Sequence, residues 1–139
     1  MNESLNLFIN LARIITEKTR PFTGGLDGLG FSEFTILVHL NNAKNHQMRR
    51  IDLADKLGLT ASGITRLLLP MEKIGLITKE KEPRDARVSL VKLTDSGRRN
   101  LSESMERAEQ MAQAIFPAER LEKMSGLSDL ILDMGDRLE

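Results

Sequence analysis

Two short helix-forming runs divided by a glycine, the second opening on small hydroxyl residues, constrain this chain more than any other feature: residues 53–68 read LADKLGLTASGITRLL. Leu53, Ala54 and Leu57 share the inward face of the first run, and Ala54 is small enough to let another helix come close. Gly58 can take the left-handed conformation that ends a helix, and after Leu59 the Thr60 hydroxyl can cap the next one. Ile64, Leu67, Leu68, Met71 and Ile74 then fall on one face of the second helix, while Ser62, Thr65 and Arg66 project from another. The expectation is two helices joined by a tight turn.

The outward face has a definite chemistry. Thr60, Ala61, Ser62 and Gly63 let the backbone approach a phosphate, whose charge a helix N-terminus favours. Arg66, with Thr65 beside it, reaches a guanine edge or the DNA backbone. A well-capped surface helix in a protein that binds no DNA has the same local pattern, so this segment alone leaves both readings open. Pro70 removes a backbone donor and clashes with the Arg66 carbonyl. A bend is expected there, or one helix ending as another begins, with Met71 and Ile74 still packed inward and Gly75 as the stop.

Residues 76–93, LITKEKEPRDARVSLVKL, read as a hairpin. Leu76, Ile77 and Thr78 start one strand; Val88, Leu90, Val91 and Leu93 suit its partner; and Glu82 to Ala86 holds the Pro and Asp of a turn. Arg84 and Arg87 sit at the tip, where Asp85 can hold an arginine by a charge-assisted hydrogen bond while leaving it free to enter a minor groove.

The flanks are helical. Leu5, Phe8, Ile9, Ala12 and Ile15 keep the spacing of one helix face, widened by Leu11 and Ile14, so the segment over 4–19 should bury against the core or another subunit. PFTGGLDGLG, from Pro21 to Gly30, reads as a loop, and Ser32 as the cap of the element beginning at Glu33. Glu33 to Ala43 suits strand or helix by its length; Ile36, Leu37, Leu40 and Ala43 favour a buried helix, with a short strand after it at Gln47 to Arg49. After the hairpin, Thr94 can cap a long helix with Leu101, Met105, Ala108, Met111, Ala112 and Ile115 on one side. Beyond Pro117 a last helix carries Leu121, Met124, Leu127, Leu130, Ile131, Met134 and Leu138. One small lobe cannot cover all these faces, so they predict a two-fold interface.

Charge separates the parts. Formal net charge is zero, yet residues 44–99 carry 13 Lys and Arg against 7 Asp and Glu, while residues 100–139 carry 4 against 9. A basic working surface is joined to an acidic support. With no Cys and two His there is no disulfide framework, zinc-thiolate site or histidine-rich metal centre, and no cofactor or metal is expected. No Ser/His/Asp arrangement, phosphate-binding glycine loop or metal-ligand spacing supports an enzyme. No apolar run approaches the roughly 18 to 20 residues that span a bilayer, and MNESLNLF lacks the basic start of a secretory signal. These features point to a soluble cytoplasmic protein with no membrane partner.

Taken in order, the helix-turn-helix, then GLI, then PRDARVSLVKLTDSGR resembles the multiple antibiotic resistance regulator (MarR) family of winged helix-turn-helix transcription factors. The most specific element is the wing's Asp85, Ala86 and Arg87, followed by Val88, Leu90, Leu93, Thr94 and Gly97. The resemblance spans nearly the whole chain and implies a mainly α fold with a small β-hairpin wing (α+β). It implies one MarR-like domain over 1–139: a winged helix-turn-helix DNA-binding lobe over 32–93, with helical dimerisation regions at 1–20 and 95–139. It further implies a homodimer on double-stranded DNA at a near-palindromic operator, recognition helices in major grooves and Arg87, supported by Asp85, in a flanking minor groove. A sequence-specific, ligand-responsive dimeric repressor is the expectation; the alternative is a winged-helix protein-interaction or assembly module without DNA binding. The family's ligands are often small aromatic or phenolic anions, but with no Tyr or Trp a pocket here would be built from Phe, Met and aliphatic side chains, and no ligand residue is assigned. The absence of Cys rules out a thiol-oxidation switch.

Overall fold

The computed structural model describes residues 1–135. Along the chain it contains α1 (Glu3–Thr19), α2 (Phe31–Asn42), β1 (Gln47–Arg49), α3 (Arg50–Leu57), α4 (Ala61–Lys73), β2 (Ile77–Glu82), β3 (Asp85–Leu93), α5 (Asp95–Ile115), α6 (Ala118–Met124) and α7 (Leu127–Leu132). The mainly α class with a small antiparallel sheet is as expected.

Two left-handed glycines shape the centre. At the end of α3, Gly58 has φ 66°; its N–H donates to the Asp55 carbonyl and that of Leu59 to Ala54, so the exit closes as a Schellman motif. Gly75, at φ 81°, repeats the arrangement after α4, with Gly75 bonded to Glu72 and Leu76 to Met71. This exit corrects one expectation. Ile74 is turned outward, 68% exposed, because the chain has already left helical geometry there, and Leu76 takes the inward place instead. Pro70 does not divide the helix. It lies on the exposed side of a continuous α4, where the only bond forfeited is to the Arg66 carbonyl.

The sheet order is β1-β3-β2, both pairings antiparallel. Gln47 to Arg49 pair with Lys92 to Leu90, so the short strand expected from the sequence forms and lies at one edge. Ile77 opposite Leu93 sets the hairpin register, which shifts between Lys81 and Glu82 near the tip. Ile36, Leu37 and Leu40 of α2, Leu53 and Ala54 of α3, Ile64, Leu68 and Met71 of α4, and Val91 of β3 form one buried cluster. Burying each large side chain of this kind contributes about 1.5–3 kcal/mol, which is what holds three short helices on so small a sheet.

Three further expectations are refined. Glu33 to Ala43 is helical, but α2 begins at Phe31 with the extended Gly30 as its cap, and Ser32 lies inside the first turn. The segment from Pro21 to Gly30 is the expected loop, but it also contributes to the core: Phe22, Leu26 and Leu29 are buried, and Phe22 packs its ring 5.0 Å from that of Phe31. Among the described residues beyond Pro117 there are two helices, because Gly126 interrupts the run and the Ser125 hydroxyl caps the Glu122 carbonyl. Leu138, expected on the last helical face, lies outside the described residues.

The terminal helices leave their apolar faces open. No residue of α1, α6 or α7 is buried, and Phe8 is 62% exposed although its spacing marks it as core-like. By contrast α5 is anchored at its start: Gly97 is buried where a Cβ would collide with the Leu76 carbonyl and the Leu93 side chain. Among the described residues, no helix is long and apolar enough to cross a membrane.

Candidate nucleic-acid interface

The first turn of α4 is built by its own side chains. Thr60 caps it, its hydroxyl accepting from the Gly63 N–H at 3.0 Å and lying 3.2 Å from the Ser62 hydroxyl. Thr60, Ala61, Ser62 and Arg66 are exposed, and Gly63 is half-buried. Thr65 departs from the expected outward placement. Its hydroxyl donates to the Ala61 carbonyl at 2.9 Å and accepts from Arg50 Nη1 at 2.8 Å, so it is engaged within the protein.

Arg50 is not among the expected site residues. It is the first residue of α3, and besides Thr65 its Nη1 also reaches the Ala61 carbonyl at 3.3 Å. A sequence signal does exist: Arg49 and Arg50 stand together at a helix start, where the helix dipole disfavours cations.

At the other end of the lobe, Arg87 and Asp85 are coupled through three bonds. The Arg87 backbone N–H donates to Asp85 Oδ1 at 3.0 Å, Nε to the same oxygen at 3.1 Å, and Nη2 to Oδ2 at 3.4 Å. The Arg87 side chain is 92% exposed, so the pair orients a guanidinium that stays in solvent. The Arg87 side chain, then its backbone N–H, and to a lesser degree the charge of Arg49 hold the Asp85 carboxyl below the usual carboxylate range, against a small opposing desolvation. Arg84 is exposed between the strands. The structure thus places Arg84, Asp85 and Arg87 together at the wing tip and Thr60, Ala61, Ser62, Gly63, Thr65 and Arg66 together on the first two turns of α4.

A family model described as the MarR family matches residues 31–89, from the first residue of α2 to the middle of β3, enclosing both clusters. Over that segment the chain is similar to the MarR family.

Among curated relatives, the chain is 30% identical over 102 residues to the HTH-type transcriptional repressor YetL of Bacillus subtilis, covering 72% of this chain and 61% of YetL. It is 26% identical over 111 residues to the HTH-type transcriptional regulator YdgJ of the same organism, covering 80% of this chain and 66% of YdgJ. The chain thus spans under two thirds of the length of these curated relatives. Its fold is similar to that of Sco3205, a MarR family transcriptional regulator from Streptomyces coelicolor solved in complex with DNA, with a TM-score of 0.80 at 18% identity over 94% of this chain and 84% of that one.

Proposed function

We propose that this chain is a sequence-specific, DNA-binding transcriptional regulator of the MarR family that acts as a homodimer on a near-palindromic operator. The observation that carries the reading is the pairing of two outward-facing basic elements on one rigid lobe: Arg66 beside a Thr60-capped helix start, and Arg87 oriented by Asp85 yet 92% exposed. An exposed, pre-oriented guanidinium contributes little to folding, and a groove is what it suits. The DNA complex of Sco3205 and the repressor description of YetL support the same reading.

In this reading the lobe over 32–93 reads DNA through Thr60, Ala61, Ser62, Gly63, Arg66, Arg84 and Arg87, with Thr65 and Asp85 acting as supports. Residues 1–20 and 95–139 supply the two-fold interface; the apolar side chains left open on α1, α6 and α7 support this. The protein works in the cytoplasm, where its DNA lies, and performs no catalysis. A ligand-responsive repressor is the form we favour. An open cleft of about 580 Å³ between the end of α1 and the end of α5, with Met111 and Ile115 as an apolar wall and Lys18 and Arg120 set against one carboxylate, Glu17, has the apolar surface and net positive charge for a small aromatic or phenolic anion.

The test is binding of the folded dimer, across a salt series, to DNA upstream of its own gene and to sequences selected from a random pool. Specific, salt-sensitive binding is expected. A folded dimer that bound none of these sequences would overturn the reading.

A further inference from the structure

The cleft between β3 and the start of α3, about 240 Å³ and lined by Arg49, Arg50, Ile51, Arg87, Val88 and Ser89, lies outside α4 and shares only Arg87 with the wing tip. Three of its six lining residues are arginines. Of the nearby carboxylates, Asp85 is bonded to Arg87, and Asp52, in the first turn of α3, forms no ion pair among the described residues, so three arginines face two carboxylates around the cleft.

Arg50 is the informative member. A guanidinium carries five N–H bonds, two of them on Nη1. Those of Nη1 go to Thr65 Oγ1 and the Ala61 carbonyl, across the turn between α3 and α4. The three N–H bonds of Nε and Nη2 have no hydrogen-bond partner among the described residues. One edge of the side chain therefore holds the first turn of α4, while the other edge is a donor fork of the kind that fits two oxygens of one phosphate. A cation at the first position of α3 also opposes the helix dipole, an unfavourable placement that a bound anion would relieve.

We propose that this cleft seats a backbone phosphodiester of the bound DNA, and that Arg50 bridges that phosphate to the first turn of α4. The phosphate fixes the register at which α4 enters its groove, and Thr65 takes part through Arg50 rather than by touching a base. This rests on the DNA-binding reading above. Arg49 and Arg87 add to the local field, but only Arg50 joins the phosphate to the recognition helix.

The experiment uses the full-length protein and a duplex selected from a random pool, with single phosphates replaced in turn by neutral methylphosphonates. Wild type is expected to lose about tenfold in affinity at one such position per half-site, Arg50→Lys about threefold and Arg50→Gln nothing. Arg50→Gln should also lower the slope of log affinity against log salt by about 0.9 per protomer, with Tm and dimer mass recorded alongside. An unchanged slope and an unchanged methylphosphonate profile in Arg50→Gln would reduce Arg50 to a structural hydrogen bond and overturn the proposal. Should Arg50→Gln not fold, wild type against Arg50→Lys decides: a profile identical in both overturns the proposal, and a weakened penalty at one phosphate upholds it. Failure of the wild type to bind any DNA is a separate result, since it removes the DNA-binding reading itself.

Discussion

Thr94 joins the end of α4 to the start of α5: its hydroxyl donates to the Gly75 carbonyl at 2.6 Å while accepting the Gly97 N–H at 3.0 Å. One side chain therefore serves as a helix cap and as a cross-link over 19 residues of chain. Replacing it by Val keeps the shape and removes both bonds. Thr94→Val is expected to cost about 1–2 kcal/mol, and Thr94→Ser to recover most of that, as measured by urea denaturation.

Gly97 is the packing counterpart of that link. An added methyl group meets the Leu76 carbonyl, a backbone atom that cannot swing aside, so α5 must move off the sheet. Gly97→Ala should destabilise by about 1–3 kcal/mol, with the loss read as a lowered Tm. Unchanged stability would show that α5 is not seated against the hairpin as described.

The wing pair makes a pH prediction. Arg87 favours the charged form of the Asp85 carboxyl and holds it below its ordinary value. Its depressed value means that the favourable interaction is fully present above the unfolded-state pKa and is lost as pH falls through the folded-state value. Since the pair is solvent-exposed, global stability should scarcely respond. The expected signal is local: the Asp85 carboxyl resonance, followed by NMR, should move its midpoint upward in Arg87→Ala.

For DNA, the two basic elements should separate by type of effect. Arg87→Ala should weaken binding and reduce the salt slope, and Arg66→Ala should alter sequence preference more strongly. Each is measured against the selected duplex and against single-base variants of it. Equal losses on every sequence for Arg66→Ala would mean that Arg66 meets only phosphates.

The open face of α1 supplies a test of assembly. Phe8→Glu places a charge within a face that also carries Leu5, Ile9 and Ile15, all exposed in the single chain. Light scattering should show the variant shifted toward monomer at concentrations where the wild type is dimeric, with helix content retained.

Legible in the sequence is whatever depends on near neighbours. Thr60 and Thr94 as caps, Gly58 and Gly75 as helix ends, and Asp85 beside Arg87 all act within a few residues, so their partners can be named from spacing. The strand at Gln47 to Arg49 is visible as well. Contacts set by the angle between elements are not: Arg50 meets Thr65 across 15 residues, and nothing in the periodicity of α4 indicates that Thr65 is turned toward α3. Spacing misplaces Ile74, which fits the apolar face of α4 although the left-handed turn at Gly75 has already redirected the chain. The run after Pro117 shows a regular apolar repeat, and that repeat masks the one residue, Gly126, that breaks it.

The small strand β1 has a consequence for how the helix-turn-helix and wing unfold. Because Gln47 to Arg49 pair with Lys92 to Leu90, the chain leaves one edge of the sheet, makes α3, α4 and β2, and returns beside its point of departure. Helix, turn, helix and wing are thus enclosed in a single ring of backbone closed by a few hydrogen bonds. Such a ring is slow to form, since its closing contacts lie far apart in sequence. Once shut, it couples the amides of β1 to those of β3, so the helix-turn-helix and wing are expected to exchange hydrogen with solvent as one cooperative unit.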